Sequence, residues 1–162
     1  MAVKKKFPYR AAVAACNGGC RASEDPKCTY GCIGCGKCVE ACKFGAIAIN
    51  EIGVAKVDEQ ACIACGKCAK VCPQGVIHIH DCANYIVVKC SNKEKGKAAR
   101  VVCKVSCIGC GLCEKNCTAD AIHVIDNCAV IDESKCLSCG MCAVKCPRHA
   151  IVDLRGILTE KF

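Results

Sequence analysis

The chain has 162 residues and a formal net charge of +8; 23 residues are cysteine, 4% are aromatic and none is tryptophan. So few large side chains bury only a modest core, which indicates a fold that is cross-linked by disulfides, zinc or metal clusters. The odd cysteine count and the close cysteine spacing argue against a disulfide scaffold and against zinc ribbons, which use separated C-x2-C pairs.

The N-terminal 31 residues form the first predicted segment. Its apolar stretch, residues 11–15, predicts a short strand that is followed by Cys16. This stretch is shorter than the apolar region of a signal peptide, and no stretch of the sequence reaches the ~20 apolar residues of a membrane span. We expect a cytoplasmic extension that carries additional cysteines, because so many thiols need a reducing compartment.

The next predicted element is a run of four cysteines with the spacing C-x2-C-x2-C-x3-C. It begins at Cys32, and the same spacing begins again at Cys62, Cys107 and Cys136. This is the ligand spacing of bacterial ferredoxins, in which the fourth cysteine of a run binds the other [4Fe–4S] cluster of a pair. The sequence therefore predicts at least four [4Fe–4S] clusters in an anaerobic electron-transfer protein.

The order of the runs predicts an α+β protein with two tandem bacterial-type dicluster ferredoxin domains. Each domain is expected to contain a short hairpin, with strands at 46–49 and 54–57 in the first domain and at 121–125 and 129–131 in the second. Helical turns should carry the third and fourth cysteines of each run. The predicted boundaries are 1–31 for the extension, 32–80 for the first domain, 81–106 for a folded connector with a short helix at 97–105, 107–152 for the second domain and 153–162 for a tail.

Polar residues and glycines flank the runs. Asp58 and Asp132 stand four residues before the second run of each domain, and their carboxylates are expected to accept hydrogen bonds from backbone amides of the turn. Glycines beside the second cysteine of a run, such as Gly36 and Gly111, are expected to adopt unusual φ angles because the loop wraps closely around a cluster.

If the fourth ligand is exchanged within each domain, the sixteen cysteines of the runs form four ligand sets. Such an exchange holds two clusters side by side, which suits electron transfer between them. The sets are Cys32, Cys35, Cys38 and Cys72 for cluster one; Cys62, Cys65, Cys68 and Cys42 for cluster two; Cys107, Cys110, Cys113 and Cys146 for cluster three; and Cys136, Cys139, Cys142 and Cys117 for cluster four.

Other cysteines recur with the repeat of the chain, whose period is the 75 residues from Cys32 to Cys107. Within this repeat, Cys16 and Cys28 correspond to Cys90 and Cys103. Together with Cys20 they are candidate additional ligands, which leaves room for one or two further clusters. The alternative is that these five cysteines are small buried thiols.

Cys28 has a further possible role, and two cysteines lie outside the repeat. Cys28 could replace Cys35 as a ligand of cluster one, because it lies four residues before Cys32. Cys82 and Cys128 have no partner in the repeat and are expected to be structural.

The positive charge has a different meaning once clusters are included. Thiolate-bound clusters are anionic, so the lysines and arginines act mostly as counter-charge, and nucleic acid is not an expected partner. The basic segment at residues 93–100 is either a solvated face or a landing surface for an acidic ferredoxin. No glycine pattern for a nucleotide or flavin and no nucleophile triad is in the sequence, so we expect no substrate-converting site.

The segments between the runs resemble a known family. With the four runs, they make the chain similar to RnfB, the iron–sulfur B subunit of the Rnf ferredoxin:NAD+ oxidoreductases, over about residues 9–152. The resemblance is to the cytoplasmic polyferredoxin portion, and we expect the N-terminal membrane helix of the family to be missing. The segments are Cys16-Asn17-Gly18-Gly19-Cys20, Tyr30-Gly31-Cys32-Ile33-Gly34, Cys90-Ser91-Asn92-Lys93 and Lys95-Gly96-Lys97-Ala98-Ala99-Arg100.

The resemblance implies an electron-transfer subunit that accepts electrons from reduced ferredoxin. It would pass them towards a flavin- or NAD-reducing partner in an ion-pumping complex at the cytoplasmic face of the inner membrane. In many members of the family the position of Cys35 is apolar, which implies a ligand role for Cys28. One alternative function is an electron-carrying subunit of a soluble, flavin-bifurcating oxidoreductase. Another is a zinc-stabilised interaction module, which predicts a colourless protein.

Overall fold

The computed structural model describes residues 9–20 and 28–159. In these two ranges the chain forms eight strands, arranged as four two-stranded antiparallel sheets, and five short helices. None of the helices in the described ranges is long and apolar enough to cross a membrane. We call residues 9–81 the first half and residues 82–159 the second half, because the order of the strands and their pairing repeat between them.

The first half contains two strand pairs that are nested in sequence. β1 pairs with β4, with Ala12 opposite Ile79, and β2 pairs with β3 as the predicted hairpin. β1 lies in the predicted N-terminal extension, so the extension contributes a strand to the sheet that closes the first ferredoxin unit. The elements are β1 Arg10–Ala14, α1 Lys37–Glu40, β2 Ile47–Ile49, β3 Ala55–Val57, α2 Lys67–Val71 and β4 Ile77–Asp81.

The second half repeats this nesting. β5 pairs with β8, with Val87 opposite Val152, and β6 pairs with β7 as the second predicted hairpin. The predicted helix of the connector is present as α3, and the connector also supplies β5. The elements are β5 Ile86–Val88, α3 Gly96–Val102, α4 Leu112–Lys115, β6 Ile122–Ile125, β7 Cys128–Ile131, α5 Met141–Val144 and β8 Ile151–Asp153.

The two hairpins turn in different ways. In the second half Asp126 and Asn127 both have positive φ angles, 48° and 64°, as in a two-residue type I′ turn, which matches the twist of the strands. In the first half the side chain of Asn50 accepts a hydrogen bond of 2.8 Å from the amide of Val54 and so closes a longer turn.

Each half has its own small hydrophobic core, and cysteines are part of both. The first core is centred on Ala12, Ile47 and Ile77, and the second on Ile122 and Ile151; all five are buried. Thiols of the runs pack directly against these side chains, because the predicted helical turns lie over the sheets. Clusters bound there would therefore complete the core of each half.

The halves contact each other through hydrogen bonds along one seam. Asn17 Nδ2 donates to the carbonyl of His149 over 3.2 Å, and the amide of Asp81 donates to Glu133 Oε2 over 3.0 Å. The hydroxyl of Ser91 donates to the carbonyl of Tyr30 over 2.7 Å. The loops that carry the additional cysteines lie along this seam.

Candidate metal centres

The loop of each run bends at a glycine just before its helix. Gly36 and Gly140, for example, have φ angles of 77° and 74°, in a region that glycine adopts without strain. The third cysteine of a run then lies within the first turn of the helix. The predicted position of the fourth cysteine is wrong by a short distance, because it follows the helix instead of lying in it. Cys72 has a ψ angle of 114°, since the proline after it disfavours helical backbone.

The cysteines predicted for cluster one line a single small cavity. Their neighbours in its wall include Ile49, Val76 and Ile77, which belong to the first core. Three of the four come from the first run and the last from the second run, which is the predicted exchange. These cysteines are Cys32, Cys35, Cys38 and Cys72.

The sets predicted for clusters two and three are also gathered around one cavity each. In the cavity of the first half the wall includes Ala12 and Ile47, and in that of the second half it includes Val124 and Ile151. The thiols are those of Cys42, Cys62, Cys65 and Cys68 in the first half, and those of Cys107, Cys110, Cys113 and Cys146 in the second half.

Three of the thiols predicted for cluster four, those of Cys136, Cys139 and Cys142, lie close together at α5. Burial raises the pKa of the Cys142 thiol to about 12, and the thiolate charges of Cys136 and Cys139 raise it further. Cys113 of the neighbouring set acts on the same thiol, so the two sets of the second half lie close together. Cys117, the fourth predicted ligand, packs against the second core and its sulfur accepts the amide of Ala121 at 3.3 Å.

The third cysteine of every run resists ionisation when no metal compensates its charge. Burial raises the pKa of Cys113 to about 11, and burial also raises the pKa values of Cys38 and Cys68. Crowded thiolates in apolar surroundings repel one another, whereas a bound cationic centre keeps its coordinating thiols deprotonated. Four thiols around an apolar cavity are therefore a suitable set of donor atoms for an iron–sulfur cluster.

Backbone amides point at several of the sulfurs. Cys62 Sγ accepts hydrogen bonds from Ala12 N at 3.3 Å and from Ala64 N at 3.4 Å. Cys136 Sγ accepts one from Ser138 N at 3.4 Å. Such donors stabilise negative charge on a cluster and raise its reduction potential. Because β1 supplies Ala12, the pairing of β1 with β4 also sets the surroundings of the second cavity.

Two predictions about individual residues have an outcome in the structure. The carboxylate of Asp58 accepts the amide of Gln60 at 2.8 Å, and that of Asp132 accepts the amide of Ser134 at 3.0 Å. The predicted turn hydrogen bonds are confirmed.

A binding site for a single metal ion is not found in residues 9–20 and 28–159. No three His, Cys, Asp or Glu side chains in these ranges converge on a point that one ion could occupy, and this includes the four cysteine sets of the runs.

Cys128 is the residue whose position the sequence did not reveal. It is buried at the start of β7, 3.3 Å from the carbonyl of Cys90, and its thiol also lies beside the thiols of Cys90 and Cys107. A hydrogen bond from Cys128 lowers the pKa of Cys107 to about 6. The only signal in the sequence is a cysteine that follows a two-residue turn, which does not say what the strand faces.

Two of the remaining cysteines, Cys82 and Cys28, lie in different surroundings. Cys82 packs against the first core and its amide donates to the carbonyl of Tyr9 over 2.8 Å, which agrees with a structural role. Cys28 is not among the residues that line the cavity of Cys35; its thiol lies near those of Cys20 and Cys90.

Comparison with known protein families supports the ferredoxin character of both halves. Residues 31–76 match the 4Fe-4S dicluster domain, and residues 107–121 and 129–152 match 4Fe-4S binding domains. The tandem ferredoxin-type domains and the α+β fold class are thereby confirmed. The chain binds iron–sulfur clusters, and the predicted electron-transport character of a ferredoxin-type oxidoreductase subunit agrees with these matches.

The chain is also similar to the B subunits of ion-translocating complexes. It is 48% identical over 108 residues, 67% of this chain and 32% of the relative, to the B subunit of the Na+-translocating ferredoxin:NAD+ oxidoreductase complex of Acetobacterium woodii. The proton-translocating counterpart of Clostridium ljungdahlii is 49% identical over 107 residues, 66% of this chain and 38% of the relative.

A third relative matches a larger part of this chain. The B subunit of the ion-translocating oxidoreductase complex of Methanosarcina acetivorans is 46% identical over 124 residues, 76% of this chain and 47% of the relative. All three relatives are B subunits of the kind that the sequence resembles. The resemblance to RnfB is therefore confirmed. The chain spans less than half the length of each of them.

A more distant likeness is to a chain of the formate dehydrogenase–heterodisulfide reductase–formylmethanofuran dehydrogenase complex of Methanospirillum hungatei. It has 19% sequence identity and a TM-score of 0.30, and it covers 80% of this chain and 53% of that one. A similarity at this level supports no inference about fold or function.

Proposed function

We propose that this chain, a tandem ferredoxin protein related to the B subunits of ferredoxin:NAD+ oxidoreductase complexes, conducts electrons through at least four [4Fe–4S] clusters. The single observation that carries the proposal is the exchange of cysteines between runs. Cys72 lines the cavity of the first run, and Cys42 lines the cavity of the second. Two adjacent four-thiol cavities in one domain suit electron transfer better than a purely structural role would require.

We assign the sixteen cysteines of the runs as ligands, in the four sets described above. A bound [4Fe–4S] cluster takes up and releases single electrons. Apolar side chains such as Ile77 and Ile151 line the cavities of the sets for clusters one and three. Amides such as that of Ala12 donate to the sulfurs, and this raises the potential relative to a site without donors.

We assign reduced ferredoxin as the electron donor and the other subunits of a membrane-associated oxidoreductase complex as partners. The names of the relatives support this assignment, because they describe B subunits of ferredoxin:NAD+ oxidoreductase complexes. The basic segment at residues 93–100 offers a landing surface: Lys93, Lys95, Lys97 and Arg100 are all exposed. Charge complementarity of this kind speeds the encounter with an acidic carrier.

Iron, acid-labile sulfide and EPR spectra of the anaerobically prepared protein test the cofactor assignment. We expect about sixteen irons or more per chain and reduced-cluster signals. Cys35→Ser should remove one cluster, whereas Cys82→Ser is the matched control outside the runs. A colourless, iron-free and folded protein would overturn the assignment.

The donor assignment has its own test. Stopped-flow mixing with reduced ferredoxin should bleach the visible absorption, at a rate that falls as ionic strength rises. A variant with Lys95 and Lys97 both changed to Gln should slow the reaction severalfold at low salt. A rate that depends neither on salt nor on these lysines would refute the landing surface.

A further inference from the structure

The strand that opens each half is followed by cysteines that the four ligand sets do not use. Cys16 follows β1 and Cys90 follows β5, and Cys28 and Cys103 each precede the next run by four residues. β1 and β5 occupy the same place in the repeat, since each pairs with the last strand of its half. The structure therefore relates two cysteines of one half to two of the other.

The first pair makes the same hydrogen bonds in both halves. Cys90 Sγ accepts the amide of Cys107 at 3.2 Å and that of Asn92 at 3.5 Å. Cys16 Sγ is bonded in the same way by the amides of Cys32 and Gly18. Each sulfur thus lies against the backbone of the first ligand of the next run, at Cys32 in one half and at Cys107 in the other.

Two glycines lie directly against the sulfurs of these cysteines, where a larger side chain would collide with them. A Cβ atom at Gly31 would lie 3.2 Å from Cys16 Sγ and 3.5 Å from Cys28 Sγ, so both sulfurs are grouped at one point of the backbone. A Cβ atom at Gly19 would lie 3.1 Å from Cys103 Sγ. A cysteine of the second half therefore touches the loop that follows β1 in the first half.

Polar contacts hold these loops together. The hydroxyl of Ser91, next to Cys90, donates to the carbonyl of Tyr30 over 2.7 Å, and so joins the loops of the two halves. Arg148 Nη2 donates to the carbonyl of Cys103 over 2.7 Å. Each of these hydrogen bonds thus ties a cysteine-bearing loop to another segment of the chain.

The thiols of the two halves act on one another electrostatically. Burial raises the pKa of the Cys103 thiol, and the thiolate charges of Cys90, Cys28 and Cys16 raise it further. Burial likewise raises the pKa of Cys28, with contributions from Cys20 and Cys90. The third cysteines of the runs show the same combination of burial and mutual repulsion.

We propose that Cys16, Cys28, Cys90 and Cys103 hold a fifth [4Fe–4S] cluster between the halves, with two ligands from each. Cys20 lies beside this set. A disulfide is unsuited to the reducing compartment in which the other thiols persist, and four thiolates are the ligand complement of a cubane cluster. The inference rests on the proposed function and adds to it: the site lies next to the first ligands of clusters one and three, so it joins the two ferredoxin domains into one electron path.

Metal analysis of the whole chain tests the site without any partner. The wild type should contain about 20 irons and an equal amount of sulfide, and Cys28→Ser and Cys103→Ser should each contain about four fewer. Cys82→Ser is the control and should match the wild type. Equal iron in wild type and both variants would overturn the fifth cluster, and four thiols binding one zinc ion would overturn it as well.

A second variant leaves every cysteine in place. Gly31→Val puts atoms where the sulfurs of Cys16 and Cys28 lie, so it should also lower the iron content by about four per chain. EPR of the reduced variants should lack one interacting cluster while the four remaining signals persist. A wild type with about sixteen irons and no change in any variant refutes the fifth site alone, whereas a wild type without iron refutes the proposed function too.

Discussion

The two halves form the same nested strand pairs through different connections. In the second half the short helix α3 lies between β5 and the next cysteine run. The hairpins also differ, since Asn50 closes a longer turn and Asp126 with Asn127 closes a two-residue turn. Because the sets predicted for clusters one and three nevertheless line equivalent cavities, the cysteine spacing and the strand pairs define these sites, and the connections between them do not.

The clearest difference lies where each half ends. Asp153, at the end of β8, is 1% exposed, and its carboxylate accepts the amides of Arg155, Ile157 and Leu158. Asp81, at the end of β4, accepts the amide of Ala83 at 2.9 Å. The second half therefore ends in a buried carboxylate turn, whereas the first continues into the connector.

Removal of iron should have the largest effect and should erase the difference between the halves. Anaerobic chelation takes away the groups that complete both cores, so we expect loss of secondary structure throughout the chain. Far-UV circular dichroism and amide hydrogen exchange measure this. Persistent protection of β5 and β8 after iron removal would contradict the equivalence of the two halves.

Truncation of a core side chain should destabilise each half by a similar amount. Ile47 and Ile122 are 4% and 2% exposed at equivalent places in the two hairpins. Ile47→Ala and Ile122→Ala should each lower the free energy of unfolding by about 2–5 kcal/mol. Anaerobic urea unfolding measures it, with Ile125→Ala as the exposed control. If only one of the two variants lost stability, the side chain in the other half would not contribute, and the clusters alone would stabilise that half.

Asp153→Asn should destabilise the second half by about 1–3 kcal/mol, because buried amides lose a charged acceptor. Burial on its own would raise the pKa of Asp153, but the amides of Arg155, Leu158 and Ile157 hold it below its ordinary value. Its contribution is therefore complete above the pKa of the unfolded carboxyl and is lost as pH falls through the lower folded value.

Hydrogen exchange at residues 155–158 measures this loss on the acid side, and the variant should show no such pH dependence. Asp81→Asn is the matched control in the first half, because the Asp81 carboxylate bonds a turn amide without being fully buried. Equal effects of the two substitutions would show that burial of the carboxylate does not matter.

The smallest expected effect concerns the residue after the fourth cysteine, which is proline in the second run of each half. Lys43 and Thr118 stand at this place in the other runs, and each has the backbone N–H that proline lacks. An N–H that bonds a cluster sulfur favours the reduced cluster. Lys43→Pro should lower one reduction potential by about 20–65 mV, the equivalent of one hydrogen bond in a one-electron couple.

A redox titration followed by EPR measures the shift. Lys43→Ala is the control, since it removes the charge and keeps the amide, and Thr118→Pro should reproduce the effect in the second half. An unchanged potential in both proline variants would rule out the amide as its source.

Much of the molecule followed from local patterns in the sequence. The repeat, both hairpins, the connector helix and the turn hydrogen bonds of Asp58 and Asp132 were predicted and are present. Each depends on residues within a few positions of one another, so spacing and turn chemistry suffice to specify them. The helical position of the fourth cysteine failed because the turn ends one or two residues early.

The sequence by itself determined that this protein is a cluster carrier, because four closely spaced thiols and a flexible glycine shape a binding loop almost regardless of what surrounds it. Only the tertiary structure decided that β1 pairs with β4 across more than sixty residues, that Cys128 lies beside Cys90 and Cys107, and that cysteines of both halves meet at one seam. Those contacts depend on how sheets and loops that are distant in sequence pack together, and local sequence patterns do not predict such packing.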